Sequence, residues 1–234
     1  MTGPQGLAGE ALLQLLGGAT GALKVFPLPG TVVFPGTPAP FHIFEPRYRS
    51  MTADALGGDR ILAVATLRSP DLADMERAPI HSVAGAGFIE AEERLPDGRY
   101  HILLRGVARV QLGEELLDTG RPYREFRAAI LDDVYPGGGP QALVSEVETL
   151  EQVVIELARR LPADSGAPDL AEAVARMRVP SRIADLVAAA VIDDAGTRLR
   201  VLEEVDVTRR LELVTREVAG ILLRAPGRSG TPSA

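Results

Sequence analysis

Histidines are the first residues to examine for catalysis, because an imidazole can exchange protons or bind a metal near neutral pH. The chain has three of them, His42, His81 and His101, far apart in the sequence. His42 and His101 both fall on predicted strands, so they can pair in space, but no carboxylate partner is evident beside them. A surface or strand-lining role is therefore favoured over a metal or acid–base site. A hydrolase that uses His42 or His101 is the least favoured hypothesis.

The other common catalytic signatures are absent from the sequence. Lys24 is the only lysine, and Val25 follows it in an apolar strand, which suits neither a Ser-Lys dyad nor a phosphate-binding loop. There is no G-x-S-x-G or H-E-x-x-H motif, and there is no cysteine to form a disulfide, a thiolate metal site or a nucleophile. Adjacent acids such as Glu92-Glu93 point to opposite faces of a strand and are expected to be solvated. The sequence predicts no enzymatic activity, no metal and no cofactor.

The stretch FHIFEPRYR, residues 41–49, has the pattern of a strand that turns into a helix. Phe41 and Ile43 would share one face of the strand, because successive side chains alternate between faces. Pro46 then suits the first turn of a helix over about 46–56, where the N–H that proline lacks would be unpaired anyway. A strand-to-helix corner is therefore predicted here.

Two interpretations of this corner stay open. Arg47 and Arg49 lie off the inward stripe of the helix, so they can pair with Glu45 and fasten the corner by charge. Alternatively, the mixture of aromatic and arginine side chains can grip a peptide, since tyrosine and arginine are common at binding hot spots. The candidates for peptide contact or for the structural corner are Phe34, Phe44, Glu45, Arg47, Tyr48 and Arg49.

The sequence before residue 136 has the pattern of strands and turns. Pro96-Asp97-Gly98 is turn chemistry between two extended segments and predicts a hairpin. Several short strands with polar turns favour a small antiparallel barrel or sandwich over residues 24–135. Residues 1–23 are rich in glycine and are expected to form a loosely held, poorly ordered N-terminal extension.

The composition changes at YPGGGP, residues 135–140, where three glycines between prolines cannot continue a strand or a helix. Residues 136–140 are therefore predicted to be a linker, and residues 141–224 a bundle of about five helices. Asp206 is a suitable N-cap for the last helix. Residues 225–234 are expected to be a disordered tail. The first helix is marked by an apolar stripe at helical spacing, formed by Leu143, Val147, Leu150, Val154 and Leu157.

Composition and charge disfavour several classes of partner. The chain has 234 residues, 46% of them hydrophobic, with a net charge of −7 and a pI of about 5.1. An acidic chain does not favour binding to nucleic acid or to an anionic membrane surface. No apolar run reaches the ~20 residues of a membrane span, and the start lacks the basic segment of a signal peptide. A cytoplasmic protein of one large or two small domains is expected.

Several motifs together resemble one known family. FPLP at residues 26–29 and FPG at 34–36 are followed by HIFEPRY at 42–48. This series resembles the start of the Lon protease N-terminal, substrate-binding domain family. GRYHILLRGVARV, from residue 98, resembles a later strand pair of the family, and LRVLEEVDVTRRLELVTREV resembles its closing helices. The resemblance extends from about residue 24 to residue 224.

The resemblance implies an α+β fold, in which a PUA-like β-barrel with one short helix is followed by an α-helical bundle. In full-length Lon proteases this domain precedes an ATPase module and a Ser-Lys peptidase domain, and the motifs of both are absent here. The chain therefore looks like a standalone substrate-binding-type domain, with no catalytic residues to carry over. No motif of the family defines its peptide-contacting surface.

Two classes of function follow from this reading. The leading hypothesis is a non-catalytic polypeptide-binding module, an adaptor or regulator of proteolysis. Its partners would be unfolded or exposed polypeptide segments and a separate protease or chaperone, and the strand edges of the barrel can receive extended peptides. The alternative is a small-molecule-binding PUA-like domain. A closed, aromatic-lined cavity would favour the small ligand, whereas an open apolar groove would favour the peptide.

Overall fold

The structure, a computed structural model, describes residues 9–72, 75, 77–162 and 164–224. Contacts within the chain divide it into two compact units, Met1–Asp132 and Asp133–Ala234. The predicted linker, residues 136–140, follows shortly after this division. The expectations for residues 1–8 and for the tail at 225–234 lie outside the described residues.

The first unit is built on a six-stranded β-sheet, five strands of which close into a barrel. Its strands are β1 (Leu23–Leu28), β2 (Pro38–Ile43), β3 (Ile61–Thr66), β4 (Val83–Arg94), β5 (Tyr100–Leu116) and β6 (Arg124–Leu131). The order across the sheet is β2-β5-β4-β3-β1-β6, and β5 also pairs with β6. This extra pairing closes β5, β4, β3, β1 and β6 into a barrel and leaves β2 as an edge strand, because the long β5 pairs with β2 through its first half and with β6 through its second half. The predicted α+β fold with a barrel in its first part is confirmed.

One strand pair departs from the expected antiparallel pattern. β1 and β3 run parallel, with Val25 opposite Ala63. Parallel neighbours need a crossover between them, and here β2 and helix α2 (Pro46–Leu56) occupy that connection. β3 is buried at all six positions. Its continuous apolar sequence, ILAVAT, is typical of a strand covered on both faces.

The N-terminal segment requires a correction. Residues 9–22 are not a loosely held extension, because they form helix α1 (Gly9–Ala19) and a 3-10 turn. Leu12 and Leu16, one helical turn apart, are buried in the same apolar cluster as residues of β1 and β3. The glycines that suggested disorder lie on the exposed side of this segment. They therefore leave the apolar contact of α1 intact.

Residues 32–37, between β1 and β2, cross the sheet in direct contact with two glycines. A Cβ on Gly106 would lie 2.0 Å from the Phe34 carbonyl oxygen, and a Cβ on Gly85 would lie 2.0 Å from the Val33 carbonyl oxygen. The amide and the carbonyl of Gly106 also form hydrogen bonds of 2.9 and 2.8 Å with this segment. The close approach places Phe34 in the interior, with 0% of its surface exposed.

The second unit contains five α-helices in its described part, as predicted. They are α3 (Val144–Arg160), α4 (Ala167–Arg176), α5 (Pro180–Val191), α6 (Ala195–Glu203) and α7 (Val207–Arg224). All residues of the predicted α3 stripe are buried except Val147, which is half-buried. Asp206 caps α7, since its carboxylate accepts a hydrogen bond from the Arg209 amide at 3.1 Å. None of the helices described for this chain combines the length and the apolar character needed to cross a membrane.

The largest fully buried side chain among the described residues is a charged one, Arg210 of α7. Its Nη2 lies 2.7 Å from Asp133 Oδ1, and its Nη1 lies 3.5 Å from Asp185 Oδ1. Its Nε donates to the Glu204 carbonyl oxygen at 2.7 Å. Because a buried charge is tolerated only when it is paired, these contacts fix α7 against α5 and against the segment that precedes α3.

Candidate functional site

An ion pair holds the corner between β2 and α2. Helix α2 begins at Pro46, and Glu45 occupies its N-cap position without a side-chain hydrogen bond to the helix. The Glu45 carboxylate instead binds Arg47, whose Nε and Nη2 lie 2.9 and 2.8 Å from Oε2. The Arg47 guanidinium lies 4.7 Å from the centre of the Tyr48 ring. An ion pair and a cation–π contact therefore stabilise this turn.

The six candidate residues differ in what they can offer a partner. Phe34 and Tyr48 are buried, with 0% and 6% of their surface exposed. Burial raises the pKa of Tyr48, and the neighbouring Arg47 lowers it in part. The three charged members are half-buried. Phe44 is the one member with a largely exposed side chain, at 60%.

Strands β2 and β5 bring two of the three histidines together. His42 lies directly opposite His101, with ring centres 4.9 Å apart, and His101 Nδ1 lies 3.3 Å from Glu93 Oε2. Sequence reasoning allowed the histidine pairing but assigned no acid to it, because Glu93 was expected only to be solvated. All three side chains are exposed, and no cluster of side chains in the described ranges could hold a metal ion. The arrangement is an open polar surface without the enclosure that acid–base catalysis favours.

The first unit also has an open polar pocket of about 440 Å³. Within it, Asp54 Oδ2 accepts hydrogen bonds from the Tyr123 hydroxyl at 2.7 Å and from Arg121 Nη1 at 2.6 Å. Lys24 Nζ lies 3.6 Å from Asp59 Oδ1. Burial, and then the hydrogen bond to Asp54, raise the pKa of Tyr123. This pocket is open, and four of its charged side chains form the pairs Arg121–Asp54 and Lys24–Asp59. It differs from the closed aromatic-lined cavity that would favour a small ligand.

Two open grooves with largely apolar linings flank helix α3 in the second unit. The first, named here the α3–α5 groove, has a volume of about 320 Å³. Val144 is 56% exposed, because it lies off the buried stripe of α3 and its side chain is left for the groove. The charged residues of this groove are Glu148, Glu151 and Arg178. Its apolar lining comes from Pro140, Leu143, Val144, Val147, Met177, Pro180 and Ile183.

The second groove, named here the α3–α7 groove, has a volume of about 340 Å³. Three of its lining residues, Thr149, Thr215 and Ala219, have short side chains that fill little of the space between packed helices. The exposed surface of this groove is mostly apolar. It is lined by Glu146 and Thr149 of α3 and by Leu211, Glu212, Thr215, Arg216 and Ala219 of α7.

Sequence reasoning identified neither groove. It followed the stripe of α3, and although Leu143 and Val147 of that stripe line the α3–α5 groove, the other lining residues of both grooves lie off it or on neighbouring segments. A partial signal was present in Val144, which is apolar yet off the stripe. The short residues Thr149 and Thr215 gave no signal, because a gap between helices depends on which residues face each other in space.

Comparisons with known proteins point to one family. A family model described as the ATP-dependent protease La (LON) substrate-binding domain matches residues 22–220. Lon protease of Anaeromyxobacter dehalogenans is 27% identical over 194 residues, and Lon protease 2 of Thermus thermophilus is 29% identical over 195 residues. Both matches cover 82% of this chain but only 22% and 23% of the relative. The chain thus spans less than a quarter of the length of these curated relatives.

Solved structures share the fold at low sequence identity. The N-terminal domain of Mycobacterium avium complex Lon protease superposes with a TM-score of 0.67 at 20% identity, covering 85% of this chain and 98% of that one. The Lon N-terminal domain protein from Xanthomonas campestris gives a TM-score of 0.56 at 19% identity, covering 88% and 99%. At these identities the likeness bears on the fold alone.

Proposed function

Because this chain belongs to the Lon protease substrate-binding domain family, we propose that it binds exposed apolar segments of polypeptides and does not act on them chemically. The family description names substrate binding, and the match covers residues 22–220. The curated relatives are named as proteases, but this chain corresponds to less than a quarter of each. Their proteolytic activity is therefore not assigned to it.

The observation that carries this proposal is the α3–α5 groove. It is open to solvent, and the side chains of Val144, Val147 and Met177 contribute to its apolar lining. Burying one aliphatic side chain of a client there would contribute about 1.5–3 kcal/mol. A client with few such residues would bind weakly and reversibly, which suits a module that must release what it holds.

The open edge of the barrel is a weaker candidate for polypeptide binding. β2 lies at the end of the strand order and pairs only with β5 among the described strands. Pro38 and Pro40 have no N–H to donate, and proline in an edge strand turns its nitrogen away from the ladder. The free side of β2 therefore lacks donors at two alternate positions, which disfavours the addition of another strand. For this reason the proposal puts the client on the helical unit.

In this proposal the chain acts as an adaptor or regulator of proteolysis. It would hold an apolar client segment for a separate protease or chaperone, which needs no catalytic group of its own. The small-molecule alternative has less support, because Asp54, Arg121 and Tyr123 of the polar pocket already bind one another. Small ligands are usually bound in cavities that enclose most of their surface, whereas an open groove with an apolar lining suits a side chain of a polypeptide.

Peptide binding to a groove variant tests the proposal. A labelled peptide rich in leucine and valine is titrated with the protein, and its fluorescence anisotropy gives the Kd. Val144→Asp places a charge on the groove lining, while an acidic residue in the first turn is compatible with helix α3. We expect a Kd about tenfold higher, since the loss of roughly 1.4 kcal/mol of apolar contact changes affinity by that factor.

Ile155→Asp is the matched control for this variant. Ile155 is also exposed on α3, at 40%, but it lines neither groove. Its Kd should equal that of the wild-type protein. An equal loss in both variants, or no peptide binding by the wild-type protein, would contradict the proposal. Mass spectrometry of the peptide after incubation should return its intact mass, because no cleavage is expected.

A further inference from the structure

Glu146 has a buried carboxylate oxygen without a partner in the described part of the chain. Its Oε2 is shielded from solvent and accepts no hydrogen bond. An anionic oxygen that loses water without gaining a donor is unfavourable. Such a group requires an explanation, and a ligand that brings its own donor is one of the recognised explanations.

A helix-stabilising role does not account for this burial. Glu146 lies in the first turn of α3, where the helix dipole favours a negative charge. That effect does not need a buried oxygen, because Asp169 occupies the first turn of α4 and is exposed. A carboxylate that caps a helix accepts a backbone N–H, whereas the buried oxygen of Glu146 accepts none.

The α3–α7 groove joins this carboxylate to an apolar trough. Glu146 and Thr149 line one side of it, and Leu211 and Ala219 line the other. Lysine and arginine combine a long apolar stem with a cationic head, and they bury the stem along apolar surface. The apolar part of a lysine or arginine side chain would pack in the trough, and its cationic group would pair with the Glu146 carboxylate.

Charge favours a cation on both flanks of α3. The α3–α7 groove contains Glu212 as a second carboxylate and Arg216 as its only cation among the described residues. The α3–α5 groove contains Glu148 and Glu151 against Arg178, whose Nη1 already donates to two backbone carbonyl oxygens at 2.7 and 2.9 Å. Counted over both grooves and with Glu146 included, the lining has four carboxylates and two guanidinium groups. The flanks of the helix are therefore net negative.

We propose that the α3–α7 groove binds a lysine or arginine side chain of the client while neighbouring aliphatic residues of that client occupy the α3–α5 groove. This inference rests on the proposed function and narrows the clients to segments in which a basic residue lies close to aliphatic ones. The same carboxylates would repel an acidic segment of equal apolar content, so they select between clients as well as attract one.

Three peptides with one apolar framework test this inference. They share their leucine and valine residues and differ at two positions, which hold lysine, glutamine or glutamate. The lysine peptide should bind about three- to tenfold more tightly than the glutamine peptide, and the glutamate peptide should bind least. The lysine advantage should shrink at high ionic strength, because salt screens the charges.

A variant that keeps the shape of the side chain locates the effect. Glu146→Gln should reduce the lysine advantage to about twofold or less and leave the Kd of the glutamine peptide unchanged. Asp169→Asn is the matched control, because it removes the same charge from the first turn of another helix of this unit and lines neither groove. It should keep the full lysine advantage.

The outcomes separate this inference from the proposed function. Equal binding of the lysine and glutamine peptides by the wild-type protein would overturn the inference and leave the proposed function standing. No binding of any peptide would overturn both. If Glu146→Gln changes the mass of the particle by light scattering but not the peptide affinities, a second copy of the chain occupies the groove and the inference is wrong.

Discussion

Gly106 and Gly85 show how single residues shape the barrel. Neither has a positive φ, so conformational freedom does not explain the absence of a side chain. The explanation is space, because the carbonyl oxygens of Phe34 and Val33 occupy the positions that a Cβ would need. These oxygens belong to backbone held by hydrogen bonds, so they cannot move aside as the end of a flexible side chain can.

Adding one methyl group at Gly106 should therefore reduce the stability of the protein. Gly106→Ala should lower the free energy of unfolding by about 1–3 kcal/mol, as overpacking of a tight contact does. Urea unfolding followed by circular dichroism measures it. Gly113→Ala is the control in the same strand, where the nearest atom to a new Cβ is the Arg127 carbonyl oxygen at 3.4 Å. Equal stability of the two variants would contradict the close crossing.

Because of the Tyr123 hydroxyl, we expect the protein to lose stability at alkaline pH. Burial, and then the hydrogen bond to Asp54, hold the pKa of Tyr123 above its ordinary value of 10.0. Above pH 10.0 the unfolded chain releases this proton before the folded chain does, so the free energy of unfolding falls as the pH rises toward the folded pKa. The stabilising effect is fully present only below the ordinary pKa.

Thermal midpoints measured from about pH 8 to about pH 11 test this sign. The wild-type midpoint should fall more steeply with pH than that of Tyr123→Phe, which has no phenolic proton at this position. At about pH 8 the free energy of unfolding of the variant should be lower by about 1 kcal/mol, and its midpoint lower accordingly, because Asp54 loses a donor. Its slope should not vanish, since burial also raises the pKa of Tyr48. Parallel curves for the two proteins would contradict the argument.

Arg210 acts at the scale of whole elements. Its guanidinium faces Asp133 before α3 and Asp185 in α5, while its own backbone belongs to α7. An apolar side chain could fill the same volume, but it would match any neighbouring apolar surface. A buried charge accepts only the arrangement that brings its counter-charges to it, so we regard Arg210 as a determinant of how these pieces pack.

Replacing Arg210 should therefore greatly reduce the stability of the protein. Arg210→Met removes the cation that two carboxylates face and should lower the free energy of unfolding by about 3–5 kcal/mol. Arg209→Met is the control next to it in the chain, because the Arg209 side chain is 73% exposed and 4.0 Å from Asp206. That variant should lose less than about 1 kcal/mol. Denaturant unfolding measures both, and similar losses would show that burial of the charge is unimportant.

At the scale of the whole molecule, the sequence predicted the division into a β-rich part and a helical part. The change of hydrophobic period near residues 135–140 carries that information, and the α3 stripe from Leu143 onward predicted its buried face. The packing role of α1 was missed, because its glycines resemble those of a mobile tail while only Leu12 and Leu16 signal burial. The grooves were missed for another reason: they depend on which residues of neighbouring elements face each other in space. Such spacing is a property of tertiary packing and leaves no period in one helix.

The ion pair of Lys24 with Asp59 has a practical consequence. Carbodiimide joins a carboxylate to an amine that contacts it. Lys24 is the only lysine of the chain, so the protein itself offers one side-chain amine to this reaction, and Asp59 is the carboxylate beside it. In a mixture with a lysine-bearing client, amide crosslinks at Glu146, Glu148, Glu151 or Glu212 would then arise almost entirely from client lysines. Peptide mapping of these crosslinks would show on which flank of α3 the client lies, and the protein's own amines would contribute few crosslinks of their own.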